Sequence, residues 1–146
     1  MYHIGRGVVK DDKAAVVWYT KAADQGYAQA QTNLGCMYAN GRGVVKDDQQ
    51  AVAWITKAAE QGYASAQYNL GCMYRDGLGV EKNDQKAVVW YTKAADQGYA
   101  TAQFNLGVMY ADGQGVEKDL SKAREWYQKA AAQGYERAIK NLSNLG

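Results

Sequence analysis

The chain is 146 residues long, 47% of its residues are apolar, and its formal net charge is +2. That apolar fraction excludes a disordered chain, and the lack of eighteen consecutive apolar residues argues against insertion into a membrane. Acidic and basic residues are interspersed along the sequence. Nucleic-acid-binding proteins usually carry a basic stripe or patch, so no nucleic-acid partner is expected.

In chain order, the first predicted element is the end of a helix at Met1 and Tyr2, followed by a joint with two glycines. A second helix then begins at the N-cap residue Asp11 and ends before Gly26, since glycine commonly supplies the left-handed residue that follows a helix. Residues 1–27 are therefore predicted to be a partial helix pair. This start suggests that the chain is a fragment of a longer array.

The same elements then return every 36 residues, as the tryptophans at positions 18, 54, 90 and 126 illustrate. A fixed period of this length indicates stacked structural units. The sequence predicts an all-α fold: an α/α solenoid, built as a right-handed superhelix of stacked antiparallel helix pairs. One domain, 1–146, would contain the partial repeat, three full repeats and a C-terminal capping helix, at 1–27, 28–63, 64–99, 100–135 and 136–146.

Between the two helices of each full repeat lies a G-x-G motif, such as Gly41 and Gly43. A dinucleotide-binding loop would need a preceding strand, a third glycine and a helix that begins in the loop. None of these is present, and the next helix opens with Asp47 and Asp48, which would repel a phosphate. We interpret the motif as a joint between helices.

The recurring residues resemble the Sel-1-like repeat family, a relative of the tetratricopeptide repeats, and the resemblance covers essentially the whole chain. In the unit 28–63 the matching residues are Ala30, Leu34, Gly35, Tyr38, Gly41, Gly43, Val44, Asp47, Ala51, Trp54, Ala58, Ala59 and Gly62. The resemblance implies an adaptor for proteins or peptides, in a family that acts in bacterial signalling, host interaction and membrane-protein quality control. One secreted branch has two bridged cysteines per repeat, a pair that this chain lacks.

Cys36 and Cys72 are one period apart and so occupy equivalent places in neighbouring units. Stacked helices are about 8–10 Å apart, which is too far for a disulfide without backbone movement. Free thiols are typical of a reducing compartment, and no signal peptide is visible, so the sequence favours the cytoplasm. A periplasmic or secreted location stays open if the chain is a fragment.

The candidate binding site is a stripe on the first helix of each unit, where the copies differ from one another and the offsets of 3, 4 and 4 residues select one face. In tetratricopeptide-like stacks this stripe lines the concave groove. Its predicted contacts are Thr32, Cys36, Asn40, Tyr68, Cys72, Arg75, Asp76, Phe104, Val108, Asp112 and Lys140. Tyr68 and Phe104 are expected to be exposed and to anchor a partner. The alternative is a solvated face with incidental aromatic residues.

Two columns of amides run beside this stripe. Asn33, Asn69 and Asn105 could hydrogen-bond the backbone of an extended peptide, or each could satisfy a nearby loop carbonyl. For the second column the structural role is favoured over the binding role. That column is Gln31, Gln67 and Gln103.

No catalytic motif is found, and the only histidine is His3. The chain is therefore predicted to be a non-enzymatic interaction scaffold with no catalytic residues, metal site or cofactor. The alternatives are a hydrolase or binder of cell-wall fragments, with Arg75, Asp76 and Asp112 as its best residues, and a purely structural spacer. The tryptophans are expected in the core, except that an uncapped N-terminal face around Trp18 could support end-to-end self-association.

Overall fold

The computed structural model describes residues 11–145, which form eight α-helices and no strand. Met1, Tyr2, His3 and the first glycine pair, Gly5 and Gly7, lie outside the described residues. The helices are α1 (Asp12–Asp24), α2 (Ala28–Asn40), α3 (Asp48–Glu60), α4 (Ala64–Asp76), α5 (Asp84–Asp96), α6 (Ala100–Asp112), α7 (Leu120–Ala132) and α8 (Glu136–Leu145).

Each helix packs mainly against its neighbours in the chain, which is the contact pattern of a solenoid. In each full unit a first helix (α2, α4 or α6) pairs with a second helix (α3, α5 or α7). Small buried residues such as Ala58 and Ala94 let the helices approach closely, and Leu34, Leu70 and Leu106 fill the interior. The predicted all-α solenoid is confirmed.

The helix boundaries follow from local chemistry. The side chains of Asp11, Asp47, Asn83 and Asp119 accept hydrogen bonds from the first-turn backbone N–H groups of the second helices, as predicted. Such a cap satisfies donors that would otherwise lack a partner. Gly41 ends α2 with a left-handed φ of 65°.

The G-x-G motif is a joint, as predicted. A Cβ atom added to Gly79 would collide with the backbone carbonyl of Asp48, so this loop lies directly against the start of the preceding second helix. The loop closes by a hydrogen bond from the N–H of Asn83 to the carbonyl of Tyr74, at 2.8 Å. The joint thus fixes how one unit sits on the unit before it.

The glycine inside each first helix makes room for a large side chain. A Cβ atom at Gly71 would lie 2.7 Å from the ring of Tyr91, and one at Gly107 would lie 2.6 Å from the ring of Tyr127. Tyr91 is 0% exposed and Tyr127 is 3% exposed. These glycines therefore allow the second helix to pack closely on the first.

The tryptophans differ from the prediction. Trp54, Trp90 and Trp126 are half-buried and pack against the apolar cluster of the preceding unit rather than within a core. Trp18 is 57% exposed. The tryptophan is therefore an inter-unit contact, and α1 presents its tryptophan at the end of the described stack.

Candidate binding surface

The exposed side of α2, α4 and α6 carries most of the predicted contacts, and we call it the groove face. It is defined by Asn33, Cys36, Asn40 and their counterparts in the next two units. Its six asparagine, cysteine and valine positions nearest the helix centres are half-buried, and the residues at the helix ends are exposed. The counterparts are Asn69, Cys72, Asp76, Asn105, Val108 and Asp112.

Two of the predicted contacts are wrong. Thr32 and Phe104 are each only 4% exposed, so neither can touch a partner in the groove. The Thr32 hydroxyl donates to the carbonyl of Ala28 at 2.8 Å. The Phe104 ring lies 5.7 Å from the ring of Tyr127 and 5.2 Å from that of Tyr135.

Tyr68 is half-buried between Tyr91 and Tyr99, with ring-centre distances of 5.8 Å and 5.4 Å. The expected platform of two exposed aromatic rings is therefore wrong. The reason is that this edge of the helix stripe faces the following second helix, where the rings fill the space between helices. The sequence carries a signal for this: aromatic residues at 68 and 104 accompany Tyr91 and Tyr127, whereas Thr32 accompanies Ile55.

A hydroxyl and thiol cluster lies behind the centre of the groove face. The hydroxyl of Tyr91 donates to the sulfur of Cys72 at 3.2 Å. Burial raises the pKa of Tyr68 and of Tyr91, and the nearby Cys72 adds to both shifts. Both phenols therefore stay protonated at neutral pH, and the cluster supplies hydrogen-bonding groups rather than a base.

Both cysteines are unpaired in the structure. Burial raises the pKa of the Cys36 thiol above its ordinary value. The amide nitrogen of Asn69 lies 3.7 Å from the sulfur of Cys36, across the boundary between two units. Because a thiol rather than a thiolate prevails there, Cys36 is a weak nucleophile.

The two amide columns have different surroundings. Gln31, Gln67 and Gln103 are 4 to 5% exposed, and each donates to a backbone carbonyl of the preceding second helix at 3.1 to 3.2 Å. Their oxygens accept from Gln61, Gln97 and Gln133 at 2.8 to 3.0 Å. The structural role predicted for the glutamines is confirmed.

The asparagine column is half-exposed on the groove face. Asn105 donates to the hydroxyl of Tyr68 at 3.4 Å, and Asn69 donates to the Cys36 sulfur at 3.7 Å. The first distance is longer than an ordinary bond of about 2.7–3.2 Å between nitrogen and oxygen. Neither asparagine oxygen accepts a bond from a described residue, so both remain available to a ligand.

Arg75 and Asp76 form an ion pair at the end of α4. The guanidinium donates through Nε and Nη2 to the two carboxylate oxygens at 3.0 and 3.1 Å. These bonds hold the pKa of Asp76 below its usual value. An ionised carboxylate is a poor general acid, so Asp76 does not suit that role, and Asp112 is exposed.

Two pockets open at the two ends of the groove face. One, of about 200 Å³, is lined by Asn33, Cys36 and Asn40, together with the ion-paired Arg42 and Asp12. The other, of about 180 Å³, is lined by Arg75, Phe104, Asn105 and Val108 and by three residues absent from the predicted contacts, Met109, Gln114 and Arg137. The exposed Lys140 lies outside both pockets.

Arg137 is not among the predicted contacts, although Lys140 on the same capping helix is. Its guanidinium stacks over the Phe104 ring at 4.6 Å from the ring centre. Among the described residues, no group of three or more histidine, cysteine, aspartate or glutamate side chains could hold a metal ion. No helix in residues 11–145 is both long and apolar enough to cross a membrane.

A family model described as Sel1 repeat matches residues 1–27, 28–63, 64–99 and 100–135. No curated protein matches the chain. A solved protective antigen of uropathogenic Escherichia coli strains, described as displaying an SLR fold, is 43% identical over 97% of this chain, with a TM-score of 0.93. A Sel1 repeat protein from Oxalobacter formigenes is 42% identical over 94% of the chain, with a TM-score of 0.89.

The cysteine rich protein B of Helicobacter pylori is 28% identical over 94% of this chain and is matched over 100% of its own length, with a TM-score of 0.72. The present chain spans only 30% of the Escherichia coli protein and 56% of the Oxalobacter protein. These similarities place the helix-pair architecture and its repeat among known structures.

Proposed function

The chain belongs to the Sel1 repeat family of helical repeat scaffolds, and we propose that it binds an extended peptide segment of a partner protein along the groove face. The contacts in this proposal are Asn33, Cys36, Asn40, Asn69, Cys72, Arg75, Asp76, Asn105, Val108, Asp112 and Lys140, with the edge of Tyr68. Family members usually mediate protein interactions and are non-enzymatic scaffolds. This family property supports the proposal of a peptide-binding role.

The observation that carries the proposal is the half-exposed asparagine column. An extended peptide presents N–H and C=O groups in alternation, and a side-chain amide can both donate and accept. Asn69 and Asn105 keep their oxygens unbonded to any described residue, and their donor contacts are long. The glutamine column, by contrast, is occupied in packing one unit on the next.

A direct test begins with a random peptide library displayed on phage and selected on the wild-type protein. A synthetic copy of a selected peptide is then titrated while amide NMR spectra are recorded. We expect shifts in the side-chain amide signals of Asn33, Asn69 and Asn105. The indole signals of Trp54, Trp90 and Trp126 should not move, because those rings lie on the second helices.

Shifts confined to the indole signals would overturn the assignment of the groove face. A library that yields no binder would favour the structural spacer. A peptide that is bound and then cleaved would favour the hydrolase alternative.

The apolar surface of α1, at the end of the described stack, favours a second kind of contact, between two copies of the chain. Trp18 is 57%, Val17 54% and Tyr27 62% exposed, whereas Trp54 packs on the preceding cluster of Ala23, Ala30 and Leu34. Our proposal for the α1 face is end-to-end contact with a second copy of the chain. Light scattering should then give a mass above the monomer that Trp18→Glu returns to the monomer value. A monomeric wild type at high concentration would contradict it.

A further inference from the structure

The pocket at the α8 end of the groove face has an unusual lining. Its polar residues are Arg75, Asn105, Gln114 and Arg137, its apolar residues include Phe104 and Val108, and none of its lining residues is acidic. Each of the three helices α4, α6 and α8 contributes to it. Two first helices and the capping helix therefore build one site together, and no single unit contains all of it.

The two arginines keep hydrogen-bond donors available. A guanidinium has five N–H donors, and the ion pair with Asp76 uses two of those of Arg75, at Nε and Nη2, which leaves three. Arg137 stacks on Phe104 and forms no ion pair with a described residue. If Asp76 is counted with Arg75, the pocket has a net charge of about +1.

The pocket at the other end of the same face provides a comparison within the chain. Asn33, Cys36 and Arg42 are the counterparts of Asn105, Val108 and Gln114, and there the cation Arg42 is paired with Asp12 at 3.1 Å. Asp84, the counterpart of Asp12, pairs instead with Lys82 at 2.7 Å and does not line the α8-end pocket. Of these two pockets, the α8-end pocket alone has unbalanced positive charge.

Size and charge identify the occupant. The volume of about 180 Å³ is below the roughly 300–1,000 Å³ of a typical small-molecule site, and it suits one side chain of a partner. Arginine forks match planar carboxylates, and a net charge near +1 balances one carboxylate better than a dianionic phosphate. The half-buried Val108 in the lining suits the methylene groups of glutamate.

We propose that this pocket is a specificity site for a glutamate side chain of the bound peptide, held between Arg75 and Arg137. This inference rests on the proposed function, because it names the residue that the peptide places at the α8 end of the groove face. Arg75 replaces the alanine found at Ala39 and Ala111, and Arg137 replaces Gln29, Ser65 and Thr101. The site is thus confined to one position along the stack.

The test uses three defined probes: the capped peptides N-acetyl-Ala-Glu-Ala-amide and N-acetyl-Ala-Gln-Ala-amide, and N-acetyl-Ala-Gln-Ala with a free terminal carboxylate. Each is titrated into the full chain while the Nε–Hε signals of Arg75 and Arg137 are followed by NMR. We expect saturable shifts with the glutamate peptide alone. Arg75→Ala and Arg137→Gln, which insert residues that other units carry, should each weaken its binding about tenfold or more, the usual value of a hydrogen bond to a charged group.

Lys93→Gln removes one positive charge on α5, away from the pocket, and is the matched control for net charge; it should leave binding unchanged. Equal shifts with the glutamine peptide, no saturable shift at millimolar concentration, or a response only to the free terminal carboxylate would each overturn the proposal. Asn69→Ala lies outside the pocket and should weaken long peptides but not the tripeptide. The experiment therefore distinguishes failure of the groove-face proposal from failure of the pocket proposal.

Discussion

The glutamine and asparagine columns run along nearly opposite sides of the same three helices, and only the glutamine column is part of the interior. Gln67 is 5% exposed and bonds to Ala59 and Gln97, whereas Asn69 is half-exposed and makes one long contact with a sulfur. Residues two apart lie about 200° apart around a helix, because an α-helix turns about 100° per residue. A polar residue that recurs in every unit is therefore part of the packing in one column and part of a free surface in the other.

The largest effect is expected when the interior column is broken. Gln67→Leu removes two hydrogen bonds of the Gln67 side chain, one to the carbonyl of Ala59 and one from the amide of Gln97. Each lost hydrogen bond costs about 0.5–1.5 kcal/mol. We expect a lower midpoint of urea unfolding followed by circular dichroism.

Asn69→Ala, two residues away, is the control for that experiment. As a substitution on the groove face it should change the free energy of unfolding by no more than about 0.5 kcal/mol. If Gln67→Leu unfolds at the wild-type urea concentration, the glutamines are not structural and the contrast between the columns fails.

A smaller effect is expected at the outer partner of the glutamine column. Gln97 donates to the carbonyl of Gly62 and to the oxygen of Gln67, both at 2.8 Å, and it is exposed to solvent. Gln97→Ala should destabilise the stack by about 1 kcal/mol, measured as the thermal midpoint. Gln25→Ala is the matched control, because the Gln25 side chain is exposed and forms no hydrogen bond with another described residue. Equal losses in the two variants would contradict the inter-unit role.

The hydroxyl that links Tyr68 to the asparagine column should matter less still. Tyr68→Phe removes the acceptor of Asn105 but keeps the ring between Tyr91 and Tyr99, and Phe104 shows that this position accepts phenylalanine. We expect a loss of at most about 1 kcal/mol and a change in the side-chain amide signal of Asn105. A large loss of stability would mean that the hydroxyl, rather than the ring, holds the two helices together.

The smallest effect concerns acid. Arg75 lowers the pKa of Asp76, so the pair stabilises the fold above the pKa of the unfolded carboxyl, and that stabilisation is lost as pH falls through the lower folded value. Because Asp76 is exposed, it should amount to less than about 1 kcal/mol. Carboxyl NMR titration should give a low pKa in the wild type and a higher one in Arg75→Ala. An unchanged pKa would contradict the ion pair.

Much of the fold could be predicted from the sequence because it depends on local chemistry. Caps such as Asp47, the helix-ending Gly41 and the mid-helix Gly71 each have a short-range physical reason, and the 36-residue period repeats that reason in every unit. Those elements hold in the structure. The solenoid follows, since one helix pair cannot bury its own apolar surface.

The site was less predictable because it depends on how much of the helical stripe is buried against the neighbouring helix. Thr32 and Phe104 share the helical stripe of Cys36 and Val108, yet they lie at its buried edge. Helical spacing gives the direction of a side chain but not how far the side chains of the next helix cover it. The half-exposed tryptophans teach the same lesson, because Trp54 covers the previous unit rather than its own.

The most direct measurement compares variants of the two amide columns in one experiment. Asn69→Ala/Asn105→Ala and Gln67→Ala/Gln103→Ala are compared with the wild type for thermal midpoint and for affinity toward a library-selected peptide. We expect the asparagine variant to melt like the wild type and to bind the peptide about tenfold more weakly or worse, while the glutamine variant should melt at a clearly lower temperature. An asparagine variant that binds the peptide as tightly as the wild type would show that the asparagine column does not form the binding surface.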